Sequence, residues 1–139
     1  MDAATGRLAC GGWSVSLHSP LDDLPAVFER RDGVVYRDGV QWPCVFATAV
    51  HWEQETQFDV GLLYEKAKLV RVSLGIEPPQ FRDLPGDAFY ESADARYDFH
   101  KAWLQGMGLP GSAYARVAWG VVGVGRDKSE NVFIYLNAI

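Results

Sequence analysis

Apolar and polar residues alternate along much of the chain, most regularly between residues 45 and 76. VFATAVHWEQ (45–54) sets Phe46, Thr48, Val50 and Trp52 on one face. FDVGLLYE (58–65) does the same with Phe58, Val60, Leu62 and Tyr64, and KLVRVSLGI (68–76) with Val70, Val72, Leu74 and Ile76. A period of two marks strands, because successive side chains leave a pleated strand on opposite faces. Short polar turns separate the three runs, which predicts an antiparallel meander.

Upstream, VVYR and VQW bracket Asp38-Gly39. That dipeptide tolerates positive φ at both turn positions, so it predicts a two-residue hairpin. Pro43 lacks an N–H and limits how far the second arm can pair centrally. WSVSLH (13–18) alternates and reads as a strand. LDDLPAVFERR reads as a short helix over 21–31, with Asp22 and Asp23 at its start, Pro25 in its first turn and Asp32-Gly33 ending it.

Downstream, EPPQFRDLPGD (77–87) is a Pro-rich loop. ESADARYDFHKAWLQGMG predicts a helix over 91–108. Ser92 or Asp94 can cap it, Ala95, Phe99, Trp103 and Met107 recur at i, i+4, and Gly108 can end it. YARVAWGVVGVG and NVFIYLNAI flank the polar RDKSE and predict a C-terminal hairpin. Its glycines at 120, 123 and 125 mark bulges or close packing. The expected fold is α+β: a single antiparallel sheet of about five to seven strands with two helices packed on one face.

Composition adds bounds. The chain has 139 residues, the size of one domain, and no repeat or linker divides it. Hydrophobic residues make up 48% and charged residues 22%, the profile of a folded globular chain. The net charge is −5, and Arg30-Arg31 is the sole adjacent basic pair. Nucleic acid is therefore a poor partner, since phosphate contacts dominate such affinities, and a basic protein a better one. Five Trp, six Tyr and seven Phe give a surplus of aromatics that suits a binding surface. No charged n-region with a long apolar run opens the chain, and no apolar run approaches the ~18 residues of a membrane span, so a cytoplasmic protein is expected.

Candidate chemistry is sparse. His18, His51 and His100 lie far apart on different elements, which does not predict a metal ligand set. His51 and Glu53 share a strand face and could chelate, but two groups facing solvent at a hairpin end is the simpler expectation. Cys10 and Cys44 lack CxxC spacing and read as free, buried thiols. There is no GxSxG elbow. GVVGVG (120–125) lacks GK[ST] and precedes a strand rather than a helix, which excludes a phosphate loop. No catalytic residue, metal or cofactor is predicted. Trp103 and Trp119 read as core, whereas Trp42 and Trp52 lie near turns and are expected to be partly exposed.

From residue 97 onward, about a third of the chain, the sequence resembles the small α+β immunity proteins of bacterial toxin–immunity loci. The resemblance rests on His100, Trp103 and Leu104 of the helix, Trp119-Gly120 in a strand, Asp127, Lys128 and Ser129 in a loop, and Ile134 and Tyr135 in the last strand. The loop RDKSE departs from that pattern in lacking a second Gly. The resemblance implies a non-enzymatic cytoplasmic protein that binds and neutralises a cognate toxin domain. Under that expectation HWEQETQFD (51–59) is a hairpin tip, and Trp52, Glu53, Glu55, Asp59, Asp83, Asp87 and Glu91 are the candidate partner-binding residues. The alternatives are a small-molecule binder or small enzyme with an aromatic-lined pocket between sheet and helix, and a homo-oligomer paired through an exposed sheet edge.

Overall fold

A computed structural model of the chain describes residues 1–138. Ile139, the last residue of the predicted C-terminal hairpin, lies outside the described residues. Two short strands, β1 (Leu8–Cys10) and β2 (Trp13–Val15), form a small antiparallel sheet. The meander follows as β3 (Glu29–Arg37), β4 (Val40–Glu53), β5 (Thr56–Glu65) and β6 (Lys68–Glu77). Two helices come next, α1 (Gly86–Glu91) and α2 (Ala93–Gly106), then β7 (Ala115–Val117), β8 (Gly120–Arg126) and β9 (Val132–Asn137). The fold is α+β, and its main sheet has seven antiparallel strands in the order β3-β4-β5-β6-β9-β8-β7.

Turn chemistry sets the meander. Asp38 and Gly39 both have positive φ, 52° and 78°, the signature of a type I′ turn, and Arg37 faces Val40 across it. Pro43 acts as its missing donor requires. The β4–β5 ladder starts one residue later, at Cys44 and Glu65, while the Pro43 carbonyl accepts from the Lys66 N–H at 3.2 Å.

The helix expected over 21–31 does not form. Leu21–Asp23 make one 3-10 turn, and Leu24 is already out of the helical region at φ −58°, ψ 121°. Leu24 precedes Pro25, whose ring disfavours helical backbone in the residue before it. The chain then enters β3 at Glu29. The core side of the sheet is covered instead by β1, β2 and α2.

Below them lies one buried cluster. Ala47 and Ala49 of β4, Val60, Leu62 and Tyr64 of β5, Leu69, Val72, Leu74 and Ile76 of β6, and Ile134 and Leu136 of β9 meet Leu8, Cys10, Val15 and Leu104. A register shift between Leu63 and Tyr64 turns Leu69 inward in place of Val70. Cys10 and Cys44 are free and buried.

The inner face of α2 is one residue off the predicted one. Ala93, Arg96, His100 and Leu104 are buried, Phe99, Trp103 and Met107 are half-buried, and Ala95 is exposed. The cause is a fork in the sheet. β6 pairs with β9 only from Arg71 to Leu74, and beyond that point the strands part. The Ile76 N–H would be orphaned there, but His100 Nε2 accepts it at 3.1 Å. His100 Nδ1 therefore carries the proton and donates to the Arg96 carbonyl at 2.7 Å. Two polar residues turn inward because the fork holds partners for them.

Candidate functional site

The face of the sheet opposite the core is open, and its centre is hollow. Thr48, Gly61 and Ser73 stand side by side on β4, β5 and β6, with Val50, Asp59 and Gly75 in the next row. Side chains this small leave a floor, and a Cβ at Gly61 would lie 2.6 Å from Ser73 Oγ, so a larger residue there would push that hydroxyl aside. The hollow has a volume of about 490 Å³. Phe81, Phe89 and Phe133 wall it, and at the fork it reaches Arg96 and His100. This size and lining fall within the usual range of ligand pockets.

Its charges are unevenly compensated. Arg96 is only 5% exposed and has no carboxylate at ion-pair distance among the described residues. It is satisfied by neutral acceptors: Nε donates to Ser92 Oγ at 2.9 Å, Nη1 to the Glu130 carbonyl at 2.8 Å and Nη2 to the Phe89 carbonyl at 2.9 Å. Its guanidinium also lies 4.0 Å from the centre of the Phe89 ring. Burial pushes its pKa below the ordinary value. Arg96 thus ties α1, α2 and the β8–β9 loop together. Ser92, expected as a cap, serves this clamp, with its own hydroxyl donating to the Phe89 carbonyl.

Across the hollow, Asp59 Oδ1 accepts from Gln57 Nε2 at 2.8 Å, while Glu77 has no hydrogen-bond or ion-pair partner among the described residues. Burial pushes the Glu77 carboxyl up, and the nearby charges of Asp59 and Asp83 push it further, partly offset by Arg96 and Arg82.

HWEQETQFD forms the end of the β4–β5 hairpin, with Glu53 facing Thr56 and Gln54 at φ 55°. Alternation divides its residues between the two faces. Trp52 stands on the open face, 50% exposed, and the guanidinium of Arg82 lies 5.1 Å from its ring centre. The same Arg82 donates to the Glu55 carbonyl at 2.9 Å. His51 and Glu53 stand on the core side, with His51 Nε2 3.3 Å from Glu53 Oε1. The expectation that both face solvent holds for Glu53 only. His51 is half-buried near Phe58 and Gly11, because β1 and β2 cover that side.

Of the candidate residues, Trp52, Glu55, Asp59 and Asp83 gather at this end of the open face, linked through Arg82 and Glu77. Glu53 shares the tip but points to the core side. Asp59 is half-buried in the hollow rather than at the tip. Asp87 and Glu91 are exposed on α1, and no hydrogen bond or ion pair joins them to the others. No three His, Cys, Asp or Glu converge on a metal-sized site among the described residues. Glu77, Arg96, Phe81, Phe89 and Phe133 were not foreseen. The available signal was the small residues Gly61, Ser73 and Gly75 at alternate positions opposite Val and Leu.

The residues behind the immunity-protein resemblance have structural tasks. His100 bridges the fork, and Asp127 closes the β8–β9 loop by accepting from the N–H groups of Ser129 and Asn131 at 2.9 and 3.0 Å. Those bonds, with the Asn131 side chain foremost, hold the Asp127 carboxyl below its ordinary pKa. The Trp119 indole donates to the Ala3 carbonyl at 2.8 Å, and a Cβ on Gly120 would collide with the Asn137 carbonyl. No helix among the described residues is long and apolar enough to cross a membrane. No protein-family model matches the chain, and no curated protein or solved structure is significantly similar to it.

Proposed function

We propose that this chain is an immunity protein, which binds a cognate toxin domain in the cytoplasm and blocks it without catalysis of its own. One observation carries this reading. The half-exposed Trp52 stands beside Glu55, Asp59, Glu77 and Asp83, four carboxylates with no ion-pair partner among the described residues. A basic partner would bury the indole and compensate the charges in one contact, the combination that makes an anchor. The hollow beside them could receive a Lys or Arg side chain. The His100 nitrogens are both engaged in structural hydrogen bonds and both thiols are buried, so these groups serve the fold.

The test is co-expression with the C-terminal domain encoded by the neighbouring gene, read as growth and as a stoichiometric complex. Immunity predicts both, and their absence would end this reading. Within a complex, Trp52→Ala with Glu55→Lys, both on the tip of the proposed interface, should weaken binding at least about tenfold and flatten its salt dependence. Unchanged affinity would remove the hairpin tip from the interface.

The hollow itself favours a second reading, a small-molecule binder. Carboxylates and phenyl rings around 490 Å³ suit an organic cation with an apolar body, such as phenethylamine. Titration calorimetry with that amine, on the parent and on Asp59→Asn, distinguishes the two readings. Binding that the substitution abolishes favours the ligand site.

A further inference from the structure

β3 ends the seven-stranded sheet, and all of its nine residues but Val35 are exposed. The other edge, β7, has three residues. The type I′ turn fixes which backbone groups of β3 are engaged. Arg37 and Val40 flank the turn and bond each other, so alternation directs the N–H and C=O of Val35, Gly33, Arg31 and Glu29 toward β4 as well. Those of Tyr36, Val34, Asp32 and Arg30 point away from the sheet. Pro43 agrees with this assignment: it faces Val34, and its carbonyl bonds Lys66 on the β5 side.

We propose that β3 pairs antiparallel with β3 of a second copy of this chain, about a two-fold axis through Gly33. The sequence ERRDGVVYR is complementary to itself in that register. Glu29 falls opposite Arg37 of the second copy at both ends. Arg30 falls opposite Tyr36, where a guanidinium can cover the ring. Gly33 meets Gly33 as a non-hydrogen-bonded pair, in which Cα atoms approach to about 4.5 Å and a larger side chain would crowd. Arg37 is held in place by its own Glu65, at 2.9 and 3.0 Å, and presents its remaining face to the second copy. Moving the axis to Val34 would set Arg31 opposite Arg37 twice, and moving it to Asp32 would set Glu29 opposite Val35, without a basic partner. Charges on an edge strand normally keep copies apart. Here their order makes one register attractive and its neighbours less so. Val34 and Tyr36, 53% and 65% exposed, gain cover. The pairing stands whether or not the partner of the open face is a toxin.

Paired residues share a face, so both open faces lie on the same side of the joined sheet, with two hollows facing one way.

Analytical ultracentrifugation of the full chain over a micromolar to millimolar range tests this. A concentration-dependent dimer is expected, and a monomer throughout would overturn the proposal. Val34→Pro removes an N–H that the monomer does not use, so it should keep the monomer's circular dichroism and weaken dimerisation at least about tenfold. A dimer that survives it lies elsewhere and overturns the register. A second pair of variants does not depend on how proline is tolerated. Glu29→Arg and Arg37→Glu should each be monomeric alone, from like charges at both ends, and should form a heterodimer when mixed, where both ends become opposite pairs. Failure of the mixture to associate would refute the axis at Gly33.

Discussion

On the core side of β5 and β6 stand Val60, Leu62, Val72, Leu74 and Ile76. On the open side of the same strands stand Asp59, Gly61, Ser73, Gly75 and Glu77. One set fills space and the other leaves it. The core side holds the sheet to α2 and the small β1–β2 sheet. The open side is free of that task, so core packing does not fix its shape and charge. A hollow formed this way needs no cavity in the core and sacrifices little stability.

Leu104→Ala should break this contrast most severely. Leu104 is fully buried, and the substitution should cost about 3 kcal/mol in urea unfolding, within the usual range for a core leucine. His100→Ala comes next. It orphans the Ile76 N–H at the fork and should cost about 2 kcal/mol. It should also change the pH profile. Burial lowers the folded-state pKa of His100 below its ordinary 6.5, so the unfolded chain takes up the proton first. The stability His100 contributes is then present above pH 6.5 and lost as pH falls toward the folded pKa. Melts from pH 7.5 to 5 should show that decline in the parent and a flatter profile in the variant.

Two substitutions on the open side sharpen the comparison. Gly75→Val places a Cβ 3.7 Å from that of Asp59, an ordinary contact, and suits a strand. Stability should move by less than about 1 kcal/mol, while any ligand or partner of the hollow is lost. Glu77→Gln should have the smallest effect on folding, and it should be favourable. The raised folded pKa means the neutral form is preferred in the fold, so stability present below pH 4.5 is lost as pH rises through the folded value. Gln never ionises, so the variant should melt above the parent at pH 7 and level with it below pH 4.5. A melt at pH 7 that does not rise would show that Glu77 is better solvated than its position implies.

The meander was legible in the sequence because its signals are local: alternation in β4, β5 and β6, and Asp38-Gly39 for the turn. The 21–31 helix was misread because acidic residues at a start and a first-turn proline suit a helix, yet the same Pro25 ends helical backbone at Leu24. The inner face of α2 was misplaced because Arg96 and His100 face inward for partners on β6 and the loops after α1 and β8, which periodicity within the helix does not reveal. The hairpin tip was found, since a polar turn between alternating runs is a local feature. The hollow was not, because Gly61, Ser73 and Thr48 become neighbours only once the strand register is known.

The pairing of β6 with β9 bears on the order of synthesis. Arg71 bonds Asn137, 66 positions further on. At roughly 5–20 residues per second, the ribosome adds that stretch in roughly 3–13 s. The meander can close through its two-residue turns long before then, leaving β6 as a temporary sheet edge carrying Val72 and Leu74. Arg71 and Lys68 on that strand are the charges that guard it while it waits for β9.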